Sequence, residues 1–392
     1  MDLKILAVSA IIVLAFFTII YLLTRRKKRI AHYSSKVSNW QSFLPGKENV
    51  LHYSVFLIGD AGAPSLNNDP NLNLLRAELI KAGEDSAVFF LGDNIYPVGM
   101  PEKSDAGRDL AEKRMIAQMK ILEGYKGKKV FISGNHDWNK GRKGGYEAVM
   151  RQQEFVENYF QSQDVYLPRN GCPGPVELNI NEKLSIIIIN TQWWVHNGHR
   201  PLGRKEGCSV DNEHEFFIVL EELLERNKDK RIVVIAHHPL YSKALHGGHF
   251  SVRQHVFPLT EVNKKMYIPM PVAGSLYPIY RKYFGAKEDM SHPRYKRLRK
   301  RLLDIFCKYD DLIYAAGHDH NLQYIHKNKQ HYIVSGAGSK VNYVDKGDAV
   351  FSHAHKGFFK LDFYNEEVWM EVHEPDYDNF CQGKVVFRKK IV

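Results

Sequence analysis

The sequence is poor in cysteine, and the four cysteines that it has are scattered. Cys172, Cys208, Cys307 and Cys381 form no pair separated by only two residues. Structural zinc sites are typically built from such closely spaced pairs, so the pattern disfavours a zinc–thiolate site. The number of cysteines leaves one disulfide open and does not identify the redox compartment.

The chain also lacks internal repeats and low-complexity tracts. Its 392 residues are 44% hydrophobic and 25% charged, as in an ordinary globular protein, and suffice for one large domain or two smaller ones. The formal charge of +11 favours phosphorylated substrates or an anionic membrane surface as partners. Aromatic residues are too sparse among the basic runs to indicate nucleic-acid binding, and no RNA- or DNA-binding module is recognisable.

Charge is absent from residues 5–24, which are mostly Leu, Ile, Val, Ala and Phe. About 20 apolar residues span the roughly 30 Å core of a bilayer, whereas a cleaved signal peptide has a shorter apolar region and a small-residue cleavage site. The pattern predicts an N-terminal transmembrane helix, and hence a membrane protein with a single pass. The basic run at 25–29 would keep the rest of the chain in the cytoplasm. The alternative is an exported domain whose basic run lies at the interface.

Beyond this helix, apolar runs of strand length alternate with segments of helical spacing, which predicts an α/β fold. After a linker at 31–50, the pattern predicts a domain over 51–392. Strands are predicted at 55–58, 87–91, 129–132, 184–189, 232–235 and 312–316, and helices at 71–81, 104–123, 146–160, 211–226 and 295–309. The pattern breaks down at 236–290, where prolines and aromatics predict a long ordered loop over the crevice.

Five of the apolar runs end in residues that can bind metals. These residues are Asp60, Asp93, Asn135 with His136, His237 with His238, and His318 with His320. Open α/β sheets bind ligands at the carboxyl ends of their strands, and Asp, Asn and His suit zinc, manganese or iron. Five such endings predict one polynuclear metal centre at the rim of a sheet. Two metals about 3.5–4 Å apart can clamp the attacking and leaving oxygens of a displacement.

The motifs at these positions resemble those of the calcineurin-like metallophosphoesterases, and most closely those of the small, tartrate-resistant type of purple acid phosphatase. The similarity covers about residues 55–387 and is strongest at 91–96, 134–137 and 317–324. It implies a four-layer α-β-β-α sandwich, in which two mixed sheets are flanked by helices. Since the resemblance favours an exported domain and the basic run a cytoplasmic one, the side of the membrane stays open.

The resemblance also implies a role for each candidate residue. Asp60, Asp93, Tyr96 and His320 would bind Fe³⁺, and Asn135, His237 and His318 would bind Fe²⁺, Zn²⁺ or Mn²⁺, with Asp93 bridging the two ions. His136 and His246 would contact the phosphate and protonate the leaving group. His238 is not expected to bind metal, and Asp137 and Asp319 would orient neighbouring histidines.

These expectations together describe a membrane-anchored phosphatase that hydrolyses phosphomonoesters by attack of metal-bound hydroxide on phosphorus. The substrate would be a phosphorylated small molecule or a phosphoprotein, and the oligomeric state is not indicated. A phosphodiesterase or pyrophosphatase with the same centre is the alternative enzyme, and a non-catalytic binding protein is the alternative from another class. An insertion at 247–300 lies near the predicted site. Its basic run at 292–301 is either an exposed or lipid-facing helix surface or a guide for an extended phosphorylated substrate.

Overall fold

The computed structural model describes residues 3–25, 30–46, 48–263, 265–270, 272–379 and 382–392. The basic run at 26–29 and Cys381 lie outside these residues. The helices are α1 (Leu3–Arg25), α2 (Pro70–Ala82), α3 (Arg108–Lys120), α4 (Gly145–Phe160), α5 (Thr191–Val195), α6 (Glu213–Arg226), α7 (Val252–Val256), α8 (Ala273–Tyr283) and α9 (Pro293–Phe306).

Fourteen strands belong to two sheets of the described chain. They are β1 (His32–Tyr33), β2 (Leu51–Ile58), β3 (Ser86–Phe90), β4 (Lys128–Phe131), β5 (Val176–Asn179), β6 (Leu184–Ile188), β7 (Arg231–Ile235), β8 (Ile313–Ala316), β9 (Leu322–Lys327), β10 (Gln330–Ser335), β11 (Phe351–His353), β12 (Phe358–Tyr364), β13 (Val368–Pro375) and β14 (Gly383–Lys390). One sheet has the order β1-β11-β9-β10-β8-β7-β6-β5, and the other has the order β14-β13-β12-β2-β3-β4.

Both sheets are mixed, and each contains a parallel core of strands. In the six-stranded sheet β2, β3 and β4 run parallel, and in the eight-stranded sheet β6, β7 and β8 do so. Their sequences are short apolar runs because these strands are covered on both faces. Side chains such as Val55, Phe89, Ile186 and Val233 are fully buried.

Three hydrophobic clusters arrange the sheets and helices in layers. One cluster lies between the two sheets and includes Leu57, Leu91 and Ile235. A second packs α6 and α9 on the eight-stranded sheet, and a third packs α2, α3 and α4 on the six-stranded sheet. The fold is therefore the mixed α/β, two-sheet architecture that the sequence predicted.

Local signals set the direction of the first β–α–β unit. Asp69 caps α2 by accepting hydrogen bonds from the backbone nitrogens of Asn71 (3.0 Å) and Leu72 (3.2 Å). Pro70 occupies the first turn, where its missing N–H costs nothing, and Gly83 follows the last turn. These signals bring β3 beside β2 in parallel, so that both strands end at the same edge of the sheet.

The prediction of an N-terminal membrane anchor has to be corrected. Within the part of the chain that the structure describes, no helix combines the length and the apolar character needed to cross a bilayer. The prediction of a single-pass transmembrane helix, and the membrane localisation that depended on it, is therefore wrong. The described end of α1 packs on the protein itself, where the ring of Tyr21 meets the edge of Tyr267 with centroids 4.8 Å apart.

Residues 31–50 make several contacts with the sandwich. Strand β1 pairs with β11 at the edge of the eight-stranded sheet, and Val37 and Trp40 are buried in the cluster between the sheets. A disulfide joins Cys172 to Cys208, and Cys307 is free and exposed. The segment 247–300 contains α7, α8 and the start of α9, rather than loop alone.

Candidate metal centre

The candidate ligands follow the carboxyl ends of strands in both sheets. Asp60, Asp93 and Asn135 follow β2, β3 and β4, whereas His237 and His318 follow β7 and β8. Both aspartates have positive φ angles, 59° and 55°. The chain approaches itself closely here, because a Cβ on Gly134 would lie 2.4 Å from the nitrogen of Asp93.

Asn135, His237 and His318 bring three acceptor atoms together. Oδ1 of Asn135 lies 2.9 Å from Nε2 of His237 and 2.9 Å from Nδ1 of His318, and these two nitrogens are 3.1 Å apart. The opposite ring nitrogens donate to main-chain carbonyls, His237 to Leu91 (2.8 Å) and His318 to Glu288 (2.7 Å). Since a carbonyl can only accept, the hydrogen of each neutral ring is on the nitrogen that faces the carbonyl. The ring nitrogens that face Asn135 therefore carry no hydrogen and present a lone pair. Three converging acceptors need a cation or a donor between them.

A second cluster contains Asp60, Tyr96 and His320. The phenol of Tyr96 donates to Oδ1 of Asp60 at 2.9 Å and lies 2.9 Å from Nε2 of His320. That nitrogen is 3.4 Å from the same carboxylate oxygen. Nδ1 of His320, on the other side of the ring, lies 2.9 Å from the amide of Asn342. An oxygen from each of two side chains and a ring nitrogen thus face one another.

Asp93 lies between the two clusters. Its Oδ1 atom is 3.5 Å from Nε2 of His237, and ligand atoms of Asp60, Asp93 and His237 all lie within 4.8 Å of one another. The backbone nitrogen of His136 donates to the same Oδ1 atom at 2.8 Å. The carboxylate with two oxygens is therefore placed where one residue can serve both clusters.

The electrostatics favour metal-binding protonation states at His318, His320 and Asp93, but not at Asp60. Burial lowers the pKa of His318 well below its usual value, and burial together with Lys340 lowers the pKa of His320 to about 4. Burial raises the pKa of Asp60, and the neighbouring charge of Asp93 raises it further. Burial would also raise the pKa of Asp93, but His136 and His237 outweigh it and lower that pKa to about 2. Neutral imidazoles and an ionised carboxylate are the forms that bind metal.

His136 and His246 lie beside the clusters rather than in them. Nδ1 of His136 donates to the carbonyl of Pro97 at 2.6 Å, and its Nε2 lies 3.9 Å from Oδ2 of Asp93. The His246 ring is 4.0 Å from that of His318, centroid to centroid, and its Nδ1 lies 3.0 Å from Asp289. Burial lowers the pKa of His246, but the hydrogen bond to Asp289 outweighs it, so the pKa is raised. Among the described residues, Nε2 of neither ring makes a hydrogen bond, although that of His136 is within ion-pair distance of Asp93.

The insertion supplies groups that the sequence reading missed. Besides its carbonyl, Glu288 offers Oε1, which accepts from Nδ2 of Asn135 at 3.0 Å. Asp289 is held by Arg281, whose Nε donates to Oδ2 at 2.9 Å. Glu288 and Asp289 are the only acidic residues between 262 and 303. An acidic pair inside an otherwise basic and aromatic segment was the available signal.

Lys340 is another residue near the centre that the sequence did not predict. Its Nζ atom lies 3.1 Å from the centroid of the Tyr96 ring. Burial lowers the pKa of Lys340, while the charges of Asp93 and Asp60 act in the opposite direction. No motif marks this lysine, because it lies in an irregular segment between β10 and β11.

Three neighbouring residues, Asp137, Asp319 and His238, make contacts that bear on the roles expected for them. Asp137 accepts from the backbone nitrogens of Gly134 (2.8 Å) and Asn94 (3.0 Å), so it shapes the turns, and no hydrogen bond joins it to a histidine side chain among the described residues. Burial and the charge of Asp93 raise its pKa to about 7. Asp319 accepts from the backbone nitrogen of His246 at 3.2 Å. His238 has a buried Nε2 atom without a hydrogen-bond partner, near His237 and His318.

The arrangement fits metal ions better than it fits an ordinary polar cluster. The acceptor atoms of Asn135, His237 and His318 have no hydrogen between them, and the hydrogen bonds to main-chain carbonyls hold the rings in this tautomer. Such outer hydrogen bonds orient histidine ligands in metalloproteins. The structure therefore brings together all seven predicted ligands, from Asp60 to His320, with the two predicted histidines beside them.

Comparison with known proteins points in the same direction. The model of the calcineurin-like phosphoesterase family matches residues 53–322, well over half of the chain. No curated protein matches the chain. The matched span begins in β2 and ends at the first residue of β9, so it contains the turns that carry the seven candidate ligands.

Solved structures that are similar to the chain include two with low sequence identity and TM-scores below 0.5. One is GAP50, the anchor in the inner membrane complex of Plasmodium, with 16% identity, a TM-score of 0.49, and coverage of 87% of this chain and 89% of that one. The other is PhoD, with 12% identity, a TM-score of 0.48, and coverage of 88% of this chain and 72% of that one.

Proposed function

The chain belongs to the calcineurin-like phosphoesterase family, and from that premise we propose that it hydrolyses phosphate monoesters at a centre of two metal ions. Membership implies a phosphoester hydrolase with a dinuclear centre. The observation that carries the proposal is the convergence of bare acceptor atoms from Asn135, His237 and His318 beside the cluster of Asp60, Tyr96 and His320. The substrate is a phosphorylated small molecule or a phosphoprotein.

Each cluster would hold one ion. Asp60, Tyr96 and His320 would hold Fe³⁺, for which a phenolate is a suitable hard ligand. Asn135, His237 and His318 would hold Fe²⁺, Zn²⁺ or Mn²⁺, and Asp93 would bridge. When bound, such a pair supplies Lewis acidity and a water molecule of lowered pKa. Because burial raises the pKa of the Tyr96 phenol, only a strongly charged ion would hold it as phenolate.

Two histidines would act on the substrate. His136 is fixed through its Nδ1–H group by the carbonyl of Pro97, so Nε2 would donate to a phosphoryl oxygen in the protonated, imidazolium form of the ring. Asp289 fixes Nδ1 of His246 in the same way. Its Nε2 would then give a proton to the leaving oxygen as the ester bond breaks, which turns the leaving group into an alcohol.

The charges around the centre support a monoester over a diester. A monoester carries up to two negative charges, whereas a diester carries one. Lys340 lies at the Tyr96 ring, and the imidazoles of His136 and His246 lie beside the clusters, so one cation and two groups that can become cationic face the centre, whereas Arg281 is paired with Asp289. The more highly charged substrate gains more from these groups.

Metal analysis and two chromogenic substrates test the proposal. We expect two metal ions per chain and a kcat/KM for para-nitrophenyl phosphate at least about tenfold above that for bis(para-nitrophenyl) phosphate. The reverse preference would assign a phosphodiesterase. Stoichiometric metal without hydrolysis of either ester, or of pyrophosphate, would assign a binding protein. His246→Gln should lower kcat, whereas His214→Gln on the exposed face of α6 serves as the matched control.

A further inference from the structure

A pocket of about 340 Å³ is lined by residues that lie close along the chain to the candidate ligands Asn135 and His136 and to Glu288. One wall is the turn that leads into α4 and includes Arg142, Lys143 and Glu147. The other walls are His196, which follows α5, and Lys287 of the insertion. None of these residues belongs to the proposed catalytic centre, and the proposed hydrolysis leaves the pocket without a role.

Short connections join this pocket to the ligands. On one side, the backbone nitrogen of Lys140 donates to the carbonyl of Asn135 at 2.8 Å. The backbone nitrogen of Asn139 donates to the carbonyl of His136 at 3.0 Å. On the other side, Lys287 immediately precedes Glu288, whose carbonyl accepts from His318. A molecule with its phosphate at the metal centre would therefore have this pocket as a neighbour.

The pocket is basic, and its cations are unused. Arg142, Lys143 and Lys287 make no side-chain hydrogen bond or ion pair with any residue that the structure describes. Glu147 is the single carboxylate among the described lining residues. Three cations around one carboxylate favour an incoming anion.

A neighbouring basic pocket shows the contrast. It lies at α9, and most of its arginines already have partners within the protein. Arg200 pairs with Glu213 at 3.1 Å, Arg294 donates to the carbonyl of His196 at 3.1 Å, and Arg301 lies over the ring of Phe217. Those arginines serve the fold, whereas the cations of the pocket beside the metal centre remain available.

His196 gives an independent sign that this pocket holds a ligand. The residue is 1% exposed, and its Nδ1 atom is buried without a hydrogen-bond partner. The ring packs against Trp138, with centroids 4.8 Å apart, and forms part of the pocket lining. Buried polar atoms in native proteins nearly always have a partner, so the unpaired Nδ1 leaves this wall of the pocket one polar partner short.

We propose that this pocket binds a second anionic group of the substrate, so that the preferred substrates are phosphoesters carrying a further phosphate or carboxylate. The inference rests on the proposed function and extends it to a substrate class. Arg142, Lys143 and Lys287 supply the charge, and His196 supplies a hydrogen-bonding group of fixed orientation. The metal centre selects the group that is cleaved, and the pocket selects what else the molecule carries.

A series of α,ω-alkanediol bisphosphates with two to eight carbons tests the reach of the pocket. For each length we compare kcat/KM with that of the alkyl monophosphate of the same length. We expect at least one bisphosphate to be preferred about tenfold or more by the unmodified protein. The double variant Arg142→Gln/Lys287→Gln should bring this ratio close to one.

Lys126→Gln/Lys128→Gln is the matched control. It removes the same charge at the start of β4, which is the edge of the sheet opposite to the centre, and should leave the ratio as in the unmodified protein. A protein that cleaves monophosphates without preferring any bisphosphate would overturn this inference and leave the proposed function standing. Hydrolysis of neither series would overturn the proposed function instead.

Calorimetry tests binding of the second anion even if the protein hydrolyses neither series. Hexane-1,6-diol bisphosphate is titrated into metal-free protein, so that turnover plays no part. We expect binding about tenfold weaker in Arg142→Gln/Lys287→Gln than in the control variant. Equal affinity in the two variants would show that the pocket does not recognise the second anion.

Discussion

The side chains of Asn135 and Glu288 are joined by a hydrogen bond of 3.0 Å, from the amide nitrogen to a carboxylate oxygen. This contact turns the amide oxygen of Asn135 toward His237 and His318. An amide can otherwise present either end, so the orientation of one proposed ligand depends on a residue of the insertion. The insertion thereby completes the centre that it covers.

The first prediction concerns this contact. Glu288→Ala leaves the main-chain carbonyl that holds His318 and removes the acceptor for Asn135. We expect the affinity for one of the two ions to fall about 10–100-fold, as is typical when an outer hydrogen bond to a ligand is lost. Competition with a chelator measures this change. Glu288→Gln keeps an acceptor oxygen and should bind metal nearly as the unmodified protein does, whereas equal affinity in Glu288→Ala would refute the orienting role.

The second prediction concerns the bridging carboxylate. Asp93→Asn keeps the size of the side chain but replaces one carboxylate oxygen by an NH2 group, which does not bind metal, so that only one oxygen ligand is left. We expect loss of turnover by about 10³-fold or more, with fewer than two ions bound per chain, because the metals orient and activate the reactants. Steady-state kinetics and metal analysis measure both effects. Asp85→Asn, before β3 at the far edge of the sheet, is the control, and near-normal activity of Asp93→Asn would exclude the bridge.

The third prediction separates iron from other metals. If Tyr96 binds Fe³⁺ as a phenolate, the oxidised protein should absorb visible light, and Tyr96→Phe should lose that band. The variant also loses the hydrogen bond from the phenol to Asp60. Absorption spectra of the two proteins at equal iron content provide the measurement. A colourless and fully active protein with two zinc or manganese ions would assign Tyr96 to packing alone.

The fourth prediction concerns acid stability away from the centre. Burial lowers the pKa of His331 in β10 to about 3, with further contributions from His326 and Lys389. Between pH 6.5 and pH 3 the imidazole of His331 is therefore protonated in the unfolded chain but neutral in the folded one. The stability associated with a neutral His331 is complete above about pH 6.5 and is lost progressively as the pH falls, by up to about 1.4 kcal/mol per pH unit.

Chemical denaturation at pH 7 and pH 5.5 tests this linkage. The free energy of unfolding of His331→Gln should fall less over this interval than that of the unmodified protein. Effects of acid on the metal centre are common to both proteins and cancel in the comparison. Parallel curves would show that His331 titrates normally in the folded state.

The parallel strands and the turns after them were predictable because buried strands carry a strong apolar pattern that ends abruptly in Asp, Asn or His. Helix boundaries were less predictable. Ser104 and Asp211 were expected to begin helices, but α3 begins at Arg108 and Asn212 caps α6. Several polar residues near a helix start can all act as caps, and tertiary packing selects among them.

The insertion shows where sequence patterns stop being informative. Its contribution to the centre depends on Glu288 and Asp289, and Asp289 is held by Arg281 from α8 rather than by a strand. No periodicity records such a long-range contact. The pairing of Cys172 with Cys208 was open for the same reason, since spacing alone does not show which segments meet.

Each of the two clusters draws side chains from both halves of the sandwich. Asp60 and Tyr96 come from the six-stranded half and His320 from the eight-stranded half, and Asn135 meets His237 and His318 across the same seam. Any cations held there would cross-link the two halves at the carboxyl ends of their parallel strands. Metal binding and the association of the two halves would then be thermodynamically linked. Removal of the ions would increase local opening at the rim before it affects the hydrophobic interior.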